Sequence, residues 1–325
     1  MPERMSAVID QITAKLTELA GTPKARTCTA AFLILVFLKR FSAWYTKQKV
    51  NNHVRSASWD RTREMVVVTG GSSGIGACIV ARLVENRIKT LILDVNPPPD
   101  KPENNVAFYQ VNLSDSEAIA SVATRIRAEH GDPTVLINNA GLGNAMPLLD
   151  LPEQKLRRVF DVNVIAPVLL IQEFLPSMLR RNHGHIVNIA SQASFATQAS
   201  NVDYACTKAA VLSLHEGLTQ ELRHIYKAFA VRTSIVHPTW VRTPMIADLV
   251  KQGKLKDTTV TAEEVAEKVV SQILSGYGSQ IIVPSGLGWT SIIRGLPGWI
   301  QEMLRDKVSL ILLRAISSDS NERAV

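Results

Sequence analysis

From residue 65 onward, short apolar runs rich in β-branched residues alternate with longer segments of helical periodicity. Nearly continuous apolar runs are typical of strands buried on both faces, and their alternation with helices is typical of a parallel sheet wrapped by helices. Seven runs are predicted as strands: residues 65–69, 90–94, 106–111, 134–138, 185–190, 230–236 and 280–283. Because seven strands in one sheet need a single domain, the sequence predicts one α/β domain over residues 64–285.

The clearest helix start in this domain is Thr261-Ala-Glu-Glu264, a capping box ahead of an apolar periodic segment. After residue 283 the sheet pattern stops, and residues 286–325 form an apolar tail that contains Trp289 and Trp299. The tail could close a cleft, contact a membrane or pack on the domain. The sequence leaves these three interpretations open.

The N-terminal residues 1–63 carry the excess positive charge of the chain. They contain eleven Lys and Arg residues against four Asp and Glu residues, a difference that equals the net charge of +7 of the whole protein. These cations flank the apolar run 30–38, which is followed at once by Lys39-Arg40. A nucleic-acid-binding protein usually places its basic residues on the folded domain, so no nucleic-acid partner is expected.

A basic extension with an apolar centre fits an anionic membrane surface better. A membrane-spanning helix needs about 20 apolar residues, and extending the run 30–38 through Phe41 and Trp44 crosses two cations. Residues 1–63 are therefore predicted to be a membrane-associating extension, monotopic or shallowly inserted. A helix packed on the rest of the protein and a binding segment for a protein partner are the alternatives.

Neither the cysteines nor the histidines follow a metal-ligand pattern. Cys28, Cys78 and Cys206 are scattered and odd in number, which argues against a disulfide framework and is compatible with a reducing compartment. His183 and His185 have no acids or cysteines at ligand spacing, so they are predicted to mark a turn and the start of a strand. No metal site is expected.

The first predicted strand runs into a glycine-rich turn that opens a helix. Gly70, Gly74 and Gly76 follow the spacing G-x-x-x-G-x-G. Such glycines let the backbone approach a pyrophosphate, whose charge then lies on the exposed amides of a helix N-terminus. At the first strand of an alternating β/α chain, this turn predicts a dinucleotide-binding, Rossmann-type doubly wound sheet.

The second predicted strand ends at Asp94, about 20 residues beyond the glycine turn. A carboxylate at this position accepts hydrogen bonds from the adenosine ribose hydroxyls and repels a 2′-phosphate. No Arg or Lys lies within the turn or directly after Asp94. NAD(H) is therefore the predicted cofactor, and NADP(H) is the alternative.

Tyr204 and Lys208 lie four residues apart, which places a phenol and an ammonium on one face of a helix. The pKa of an unperturbed tyrosine is about 10. The cation of Lys208 and the positive charge of an oxidised nicotinamide both stabilise the phenolate and lower that pKa. Ser191, thirteen residues upstream at the end of a predicted strand, can hydrogen-bond a substrate oxygen and hold it beside the phenol.

Together these motifs resemble the short-chain dehydrogenase/reductase family over residues 64–285. The matching residues, in the family's order and spacing, are the turn Thr69-Gly-x-x-x-Gly-Ile-Gly76, the run Asn138-Asn-Ala-Gly141, Asn163, Ser191, Tyr204 and Lys208. The resemblance implies that Tyr204 is the general acid/base and that Lys208 tunes it while binding the nicotinamide ribose. It also implies that Ser191 orients the substrate oxygen. Asn163 would hold the water that relays protons from Lys208 to solvent.

The same resemblance implies a set of cofactor-binding residues in the glycine turn, at the ends of strands and in the loop after the sixth strand. They are Gly70, Ser72, Ser73, Gly74, Ile75, Gly76, Asp94, Asn112, Leu113, Asn139, Ala140, Gly141, Tyr204, Lys208, Pro238, Val241 and Thr243. Asn138 would tie neighbouring strands together. The chain departs from the family pattern in carrying Asn112 in place of an aspartate, and Thr239 in place of a glycine.

The basic N-terminal extension and the apolar C-terminal tail resemble the membrane-associated steroid and retinol dehydrogenase branch of the family. That resemblance implies a lipophilic substrate (a steroid, a retinoid or a long-chain lipid) and a location on the cytosolic face of the endoplasmic reticulum membrane or of lipid droplets. The apolar residues of the stretches 156–178 and 211–222 are most simply core. The resemblance to the family also implies a subunit interface on these helices, in a dimer or a tetramer, and membrane segments could restrict the assembly to a homodimer.

Residues 242–257 offer an apolar lid over such a substrate, through Met245, Ile246, Leu249, Val250 and Leu255, or they only cap the core. The alternatives in function are an NADPH-dependent ketoreductase of lipid synthesis and a dinucleotide-binding scaffold without turnover.

Overall fold

The structure is a computed structural model, and it describes residues 23–55, 59–100, 105–247 and 259–322. The chain divides into two compact units, of which the first ends at His53 and the second begins at Val54. The sequence places this boundary at residue 63. The C-terminal tail belongs to the second unit.

The first unit contains helix α1, Pro23–Val50. Its side chains are exposed from residue 29 to residue 47, and Phe32 and Phe37 are 64 % and 65 % exposed. Phe37, Phe41 and Tyr45 follow one another at helical spacing, with successive ring centroids 6.1 Å apart. The helix therefore presents an apolar surface with a row of aromatic side chains.

The described part of the second unit contains nine strands, seven of which form one parallel sheet. The strands are β1 Met65–Thr69, β2 Lys89–Asp94, β3 Val106–Gln110, β4 Val135–Asn138, β5 Gly184–Ile189, β6 Val231–Pro238, β7 Val241–Arg242, β8 Val260–Thr261 and β9 Ser279–Val283. The sheet order is β3-β2-β1-β4-β5-β6-β9, and β7 pairs with β8. All seven predicted strands are confirmed to within two residues at each end.

Within the described residues, seven α-helices belong to the second unit, in addition to α1 of the first. In the second unit they are α2 Gly74–Glu85, α3 Ser116–His130, α4 Glu153–Phe160, α5 Ala166–Arg181, α6 Val202–His224, α7 Ala262–Leu274 and α8 Gly298–Glu322. Helix α7 begins where the capping box predicts, because the Thr261 hydroxyl accepts a hydrogen bond from the Glu264 amide at 3.1 Å. The predicted Rossmann-type doubly wound α/β fold is confirmed.

The helices bury apolar side chains on both faces of the sheet. Ile79 of α2 and Val269 of α7 are fully buried in one core cluster. Ile126 of α3 and Phe174 of α5 are fully buried in the cluster on the other face. Since complete burial of such a side chain contributes about 1.5–3 kcal/mol, these two layers fix the sheet and the positions of its strand ends.

One helical segment of the described chain, Glu153–Arg181, is long and apolar enough to cross a membrane. It comprises α4, the π-helical turn Asp161–Ile165 and α5. Leu170, Phe174 and Met178 are fully buried in the core of the domain. The apolar residues of this segment therefore belong to the core of the domain.

The C-terminal tail begins with the 3₁₀ turns Ser285–Gly295 and continues as α8. Ile293 and Leu312 are buried, so part of the tail packs on the domain, whereas Trp289 and Trp299 are 48 % and 71 % exposed. The Ser309 hydroxyl accepts a hydrogen bond from the Ala199 amide at 3.0 Å. This contact places α8 against the loop that leads from β5 into α6.

Candidate active site

The glycine turn lies at the carboxyl end of β1, where the sheet order reverses between β2 and β4. Gly70 and Gly74 have φ angles of 64° and 53°. A Cβ on Gly76 would lie 2.0 Å from the carbonyl oxygen of Gly70, and a Cβ on Gly70 would lie 3.0 Å from the Cα of Ala140. The backbone therefore has no room for side chains here, and the N-terminus of α2 is left open to an anion.

The remaining residues of the turn have different environments. Ser72 is buried and its hydroxyl donates to the carbonyl oxygen of Asn96 at 2.7 Å. Ser73 directly precedes α2 with an exposed side chain. Ile75 packs against the apolar core. These contacts hold the turn in place, so that its backbone amides can meet a pyrophosphate.

Asp94 lies beside the glycine turn. Its Oδ2 accepts a hydrogen bond from the Ser72 amide at 3.1 Å, and its Oδ1 accepts one from the Asn96 amide at 3.1 Å. An ionised carboxylate offers about four lone-pair positions, so the group still has acceptor capacity for ribose hydroxyls. The structure brings the predicted ribose ligand to the predicted pyrophosphate turn.

Asn112 and Leu113 connect β3 to α3. The Asn112 Oδ1 accepts hydrogen bonds from the amide and the hydroxyl of Ser114, at 3.1 and 2.9 Å. Leu113 is 7 % exposed and packs in the core. The side chains of both residues thus have structural partners, and their contact with an adenine stays a prediction.

The end of β4 is bonded to the end of β1. The Asn139 side-chain amide donates to the carbonyl oxygens of Thr69 and Gly70, at 2.9 and 3.1 Å. The Thr69 hydroxyl accepts from the amides of Asn139 and Ala140, at 2.9 and 3.0 Å. Because Asn139 bonds to Gly70 itself, it supports the glycine turn in addition to lining it.

Two further residues of the same run have distinct contacts. Asn138 donates from its side chain to the Asn188 Oδ1 at 2.9 Å, which ties β4 to β5. A Cβ on Gly141 would lie 3.5 Å from the Lys208 Nζ and 3.6 Å from the Asn163 Oδ1. The run from Asn138 to Gly141 therefore joins the cofactor turn to the group around Lys208.

Ser191 and Tyr204 meet at the carboxyl end of β5. Ser191 follows the strand, and its hydroxyl oxygen accepts a hydrogen bond from the Ala193 amide at 3.1 Å. Burial raises the pKa of Tyr204, and a side-chain hydrogen bond with Ser191 lowers it. The two predicted substrate-oxygen ligands are therefore in contact.

Lys208 is 4 % exposed and lies one helical turn after Tyr204. Its ammonium donates to the carbonyl oxygen of Ile189 at 2.8 Å and lies 5.4 Å from the centroid of the Tyr204 ring. Burial lowers the pKa of Lys208 to about 8. Its three donor positions leave two for a ribose and a water.

Asn163 lies on the π-helical turn between α4 and α5, a type of irregularity that is frequent at functional sites. Its Oδ1 accepts from the Leu142 amide at 2.8 Å, and its Nδ2 donates to the Leu142 carbonyl oxygen and to the Thr207 hydroxyl, both at 2.9 Å. Both amide donors are used. One lone pair of Oδ1 is available for a water.

The loop after β6 reaches the cofactor turn. Pro238 ends the strand, and Val241 is 8 % exposed in the short β7–β8 pair. A Cβ on Gly74 would lie 3.3 Å from the Thr243 Cγ2, so Thr243 lies beside the glycine turn. In the predicted lid, Ile246 is buried and Met245 is 55 % exposed. Leu249, Val250 and Leu255 lie outside the described residues.

Among the described residues, no group of three or more His, Cys, Asp and Glu side chains is placed to hold a metal ion. The His183 Nε2 forms a hydrogen bond with the Oε1 of the buried Glu64 at 2.9 Å, and His185 hydrogen-bonds the Ser234 hydroxyl at 2.8 Å. Strand β5 begins at Gly184, between these histidines. The interpretation of this pair as a turn and a strand start agrees with these contacts.

Sequence reasoning missed several residues that contact the predicted site residues or lie next to them. Thr207 holds the Asn163 amide, and His237 contacts Ser191. Asp203 accepts a hydrogen bond from the Asn144 side chain at 2.5 Å, directly before Tyr204. Thr207 and Asp203 are neighbours of Lys208 and Tyr204 in sequence, but no spacing rule marks them. Only the folded contacts reveal what they do.

Comparison with known proteins decides which family this geometry represents. The family model described as short chain dehydrogenase matches residues 64–254, more than half of the chain. The chain belongs to the short-chain dehydrogenase family. Dehydrogenase RED2 of Cochliobolus heterostrophus is 44 % identical over 218 residues, which cover 66 % of this chain and 82 % of that protein.

Estradiol 17-beta-dehydrogenase 11 of Homo sapiens is 30 % identical over 258 residues, which cover 77 % of this chain and 84 % of that enzyme. The resemblance to the steroid and retinol dehydrogenase branch is thereby confirmed. Among solved structures, 4-hydroxyisoleucine dehydrogenase complexed with NADH matches with a TM-score of 0.58 and 26 % identity, covering 68 % of this chain and 96 % of that one.

A metagenomic short-chain oxidoreductase in complex with NADP matches with a TM-score of 0.54 and 27 % identity, over 68 % of this chain and 96 % of that one. Structural relatives thus bind one or the other nicotinamide dinucleotide. This short-chain dehydrogenase is an oxidoreductase of the dinucleotide-binding type, and the choice between NAD(H) and NADP(H) is a separate question.

Proposed function

We propose that this protein transfers a hydride between NAD(H) and a lipophilic alcohol or ketone, with Tyr204 as the general acid/base. The observation that carries the proposal is the contact of Ser191 with Tyr204 and the position of the buried Lys208 beside the Tyr204 ring. A dinucleotide fits the described residues, because the turn leaves no space for a Cβ on Gly76 and opens onto the N-terminus of α2. The bound nicotinamide supplies or accepts the hydride.

The protein's own residues handle the proton. In reduction, the hydroxyls of Ser191 and Tyr204 donate hydrogen bonds to the substrate carbonyl oxygen, and Tyr204 gives its proton as that oxygen gains negative charge. In oxidation, the Tyr204 phenolate takes the proton of the substrate alcohol. Because burial raises the pKa of Tyr204, oxidation requires the Ser191 hydrogen bond and the Lys208 cation to stabilise the phenolate.

Lys208 and Asn163 return the proton to solvent. The Lys208 ammonium is fixed by the Ile189 carbonyl oxygen and keeps two donor positions. The Asn163 Oδ1 keeps one acceptor position and lies on the same side of Gly141 as the ammonium. A water bound between these groups would relay protons from Lys208 to bulk solvent.

The preference for NAD(H) rests on Asp94. Its carboxylate is held next to the glycine turn by the amides of Ser72 and Asn96. A 2′-phosphate at the neighbouring ribose would meet this negative charge, whereas two ribose hydroxyls would donate to it.

A lipophilic substrate is supported by the similarity to estradiol 17-beta-dehydrogenase 11 and by the apolar side chains of the loop after β6. Met245 is exposed next to Thr243, and Thr243 borders the cofactor turn. An exposed thioether at this place suits a flexible apolar wall. Whether the substrate is a steroid, a retinoid or a long-chain lipid is left to the substrate panel.

We further propose that α1 binds a membrane surface, on the cytosolic face of the endoplasmic reticulum or of lipid droplets. Its exposed apolar residues are followed by Lys39 and Arg40, and its aromatic residues Phe41 and Trp44 suit the headgroup region. Apolar burial and attraction of the cations to anionic lipids act together in such a helix. A homodimer through α5 and α6, implied by the family resemblance, belongs to the same proposal.

A substrate panel tests the proposed function. The detergent-solubilised protein is given steroids, retinol and long-chain alcohols with NAD and with NADP, and reduction of the nicotinamide is followed. Turnover with NAD and one lipophilic class supports the proposal. Equal turnover with NADP would favour the ketoreductase alternative, and tight NADH binding without turnover on any compound would favour a scaffold.

A further inference from the structure

His237 lies directly behind Ser191. It is the penultimate residue of β6 and is completely buried. Its Nδ1 lies 3.1 Å from the Ser191 carbonyl oxygen, and its ring centroid lies 4.5 Å from that of Phe195, with an interplanar angle of 36°. Ser191 and Phe195 bracket the single 3₁₀ turn Gln192–Ser194. One imidazole therefore holds both ends of this turn.

The contacts of His237 determine its tautomer. A carbonyl oxygen only accepts hydrogen bonds, so Nδ1 carries the hydrogen and donates to Ser191. The Gln280 side-chain amide lies 3.3 Å from Nε2 and donates to it. Burial, together with a smaller effect of the Lys208 charge, lowers the pKa of His237 to about 4, although the hydrogen bond to Ser191 acts in the opposite direction. The ring is therefore neutral at physiological pH, with each nitrogen in a fixed role.

The Ser191 hydroxyl depends on the same turn. It accepts from the Ala193 amide within the turn and bonds to the Tyr204 side chain. The Ser191 carbonyl oxygen accepts from the Ser194 amide at 3.0 Å as well as from His237. A shift of the turn would move the hydroxyl away from Tyr204, because both the hydroxyl and the carbonyl oxygen of Ser191 are hydrogen-bonded to amides of the turn.

We propose that His237 is a positioning residue, which holds the turn from Ser191 to Phe195 so that the Ser191 hydroxyl meets Tyr204 and the substrate oxygen. This inference rests on the proposed roles of Ser191 and Tyr204. The other titratable groups that face His237 are Lys208 and His215, both on α6. Neither donates to the Ser191 carbonyl oxygen in the described contacts, so the imidazole is the side chain that links β6 to the turn.

The test compares two variants of His237 that separate its donor from its ring. His237→Phe keeps an aromatic ring against Phe195 and removes the donor. His237→Asn keeps an N–H near the Nδ1 position and removes the ring. The readout is the pKa of Tyr204, from tyrosinate ultraviolet absorbance of the full-length protein, with Tyr204→Phe in each background as the blank.

If His237 positions Ser191, His237→Phe raises the pKa of Tyr204 by about one unit, the equivalent of one lost hydrogen bond to the phenolate. His237→Asn leaves that pKa closer to the wild-type value. NADH affinity stays nearly the same in both variants. An unchanged Tyr204 pKa in a folded His237→Phe protein would overturn the inference.

A double-mutant cycle with Ser191→Ala separates positioning from a general packing role. If His237 acts through Ser191, adding His237→Phe to Ser191→Ala raises the Tyr204 pKa no further. Additive shifts would show that His237 acts elsewhere. If His237→Phe does not fold, Gln280→Met removes the donor to Nε2 and is expected to raise the pKa in the same direction. If the Tyr204 pKa of the Gln280→Met variant does not rise, the inference is contradicted.

The titration needs no substrate, so its outcome is independent of the substrate panel. Absence of turnover with a normal His237 effect would count against the proposed function alone. Turnover that is lost in Tyr204→Phe but unchanged in His237→Phe would count against His237 alone. Where a substrate is found, His237→Phe is expected to lower kcat by roughly tenfold, with a smaller change in KM.

Discussion

A Cβ atom on Gly76 would lie 2.0 Å from the carbonyl oxygen of Gly70. The backbones of the two glycines thus lie too close together for a side chain at position 76. Gly70 in turn is bonded through its carbonyl oxygen to Asn139 at the end of β4. Helix α2, strand β1 and strand β4 therefore meet at one point, which is where the dinucleotide pyrophosphate is proposed to bind.

Replacing Gly76 with alanine is expected to abolish NADH binding, because the new methyl group displaces the Gly70 carbonyl or the start of α2. Isothermal titration with NADH measures the loss. Gly217→Ala is the matched control. A Cβ on Gly217, within α6, meets nothing within 4 Å, so this change is expected to leave binding intact and to stabilise the helix by roughly 0.5–1 kcal/mol. Equal NADH affinity in Gly76→Ala and wild type would contradict the proposed site.

Replacing Asp94 with asparagine is expected to shift cofactor preference toward NADP(H). The amide oxygen of asparagine still accepts from the Ser72 amide, so the turn keeps its support, while the negative charge that repels a 2′-phosphate is lost. Asp94→Ala removes both and is expected to weaken NADH binding as well. The ratio of NADPH to NADH dissociation constants measures the effect. A ratio unchanged by Asp94→Asn would show that another group determines the preference.

Because Lys208 is buried, the free energy of unfolding is expected to depend on pH. Its pKa in the folded protein is about 8, below the ordinary value of 10.5, so the folded state releases this proton before the unfolded state does. Between these two values the unfolded chain binds more protons, and the free energy of unfolding therefore rises with pH. Relative to Lys208→Met, the wild type is expected to gain at most about 3 kcal/mol across that window.

Denaturant unfolding of both proteins at pH values on either side of the window measures this difference. The variant lacks the titrating group, so every pH effect common to the two proteins cancels in the comparison. A difference that stays constant, or that falls as pH rises, would mean that the ammonium is not destabilised by burial in the folded protein.

Deleting residues 1–46 is expected to release the protein from membranes into the soluble fraction. The deletion removes the exposed apolar run of α1 together with Lys39 and Arg40. Sedimentation with vesicles that contain anionic lipids measures the effect. A second variant, Trp289→Ser with Trp299→Ser in the full-length chain, tests whether the exposed C-terminal tail contributes. Continued sedimentation of the deletion variant would exclude α1 as the membrane contact.

Local patterns predicted the sheet almost completely. The strands of this fold are short apolar runs, and even β9, next to the last helical turns, was recognisable from its run of β-branched residues. Spacing marked Gly70, Asp94, Ser191, Tyr204 and Lys208 as candidate site residues, because each lies at the end of a strand or one helical turn from its partner. A parallel sheet gathers such ends at one edge.

The contacts between elements that are distant in sequence could not be predicted. His237 reaches Ser191 across 46 positions, and Asn163 reaches Thr207 across 44. In both cases the polar partner is created by packing of β6 or α6, and no local spacing encodes it. The split at His53 was likewise not visible from charge, because the basic residues continue to residue 63 while the fold of the second unit begins at Val54.

The role of Tyr204 is tested most directly by Tyr204→Phe, measured for turnover of the identified substrate and for NADH affinity in the same preparation. The change removes one hydroxyl and keeps the ring that Gly143 and Lys208 approach. The account predicts that turnover falls at least about a hundredfold while NADH affinity is nearly unchanged. Retained turnover in Tyr204→Phe would contradict the assignment of Tyr204 as the acid/base group, and with it the central claim.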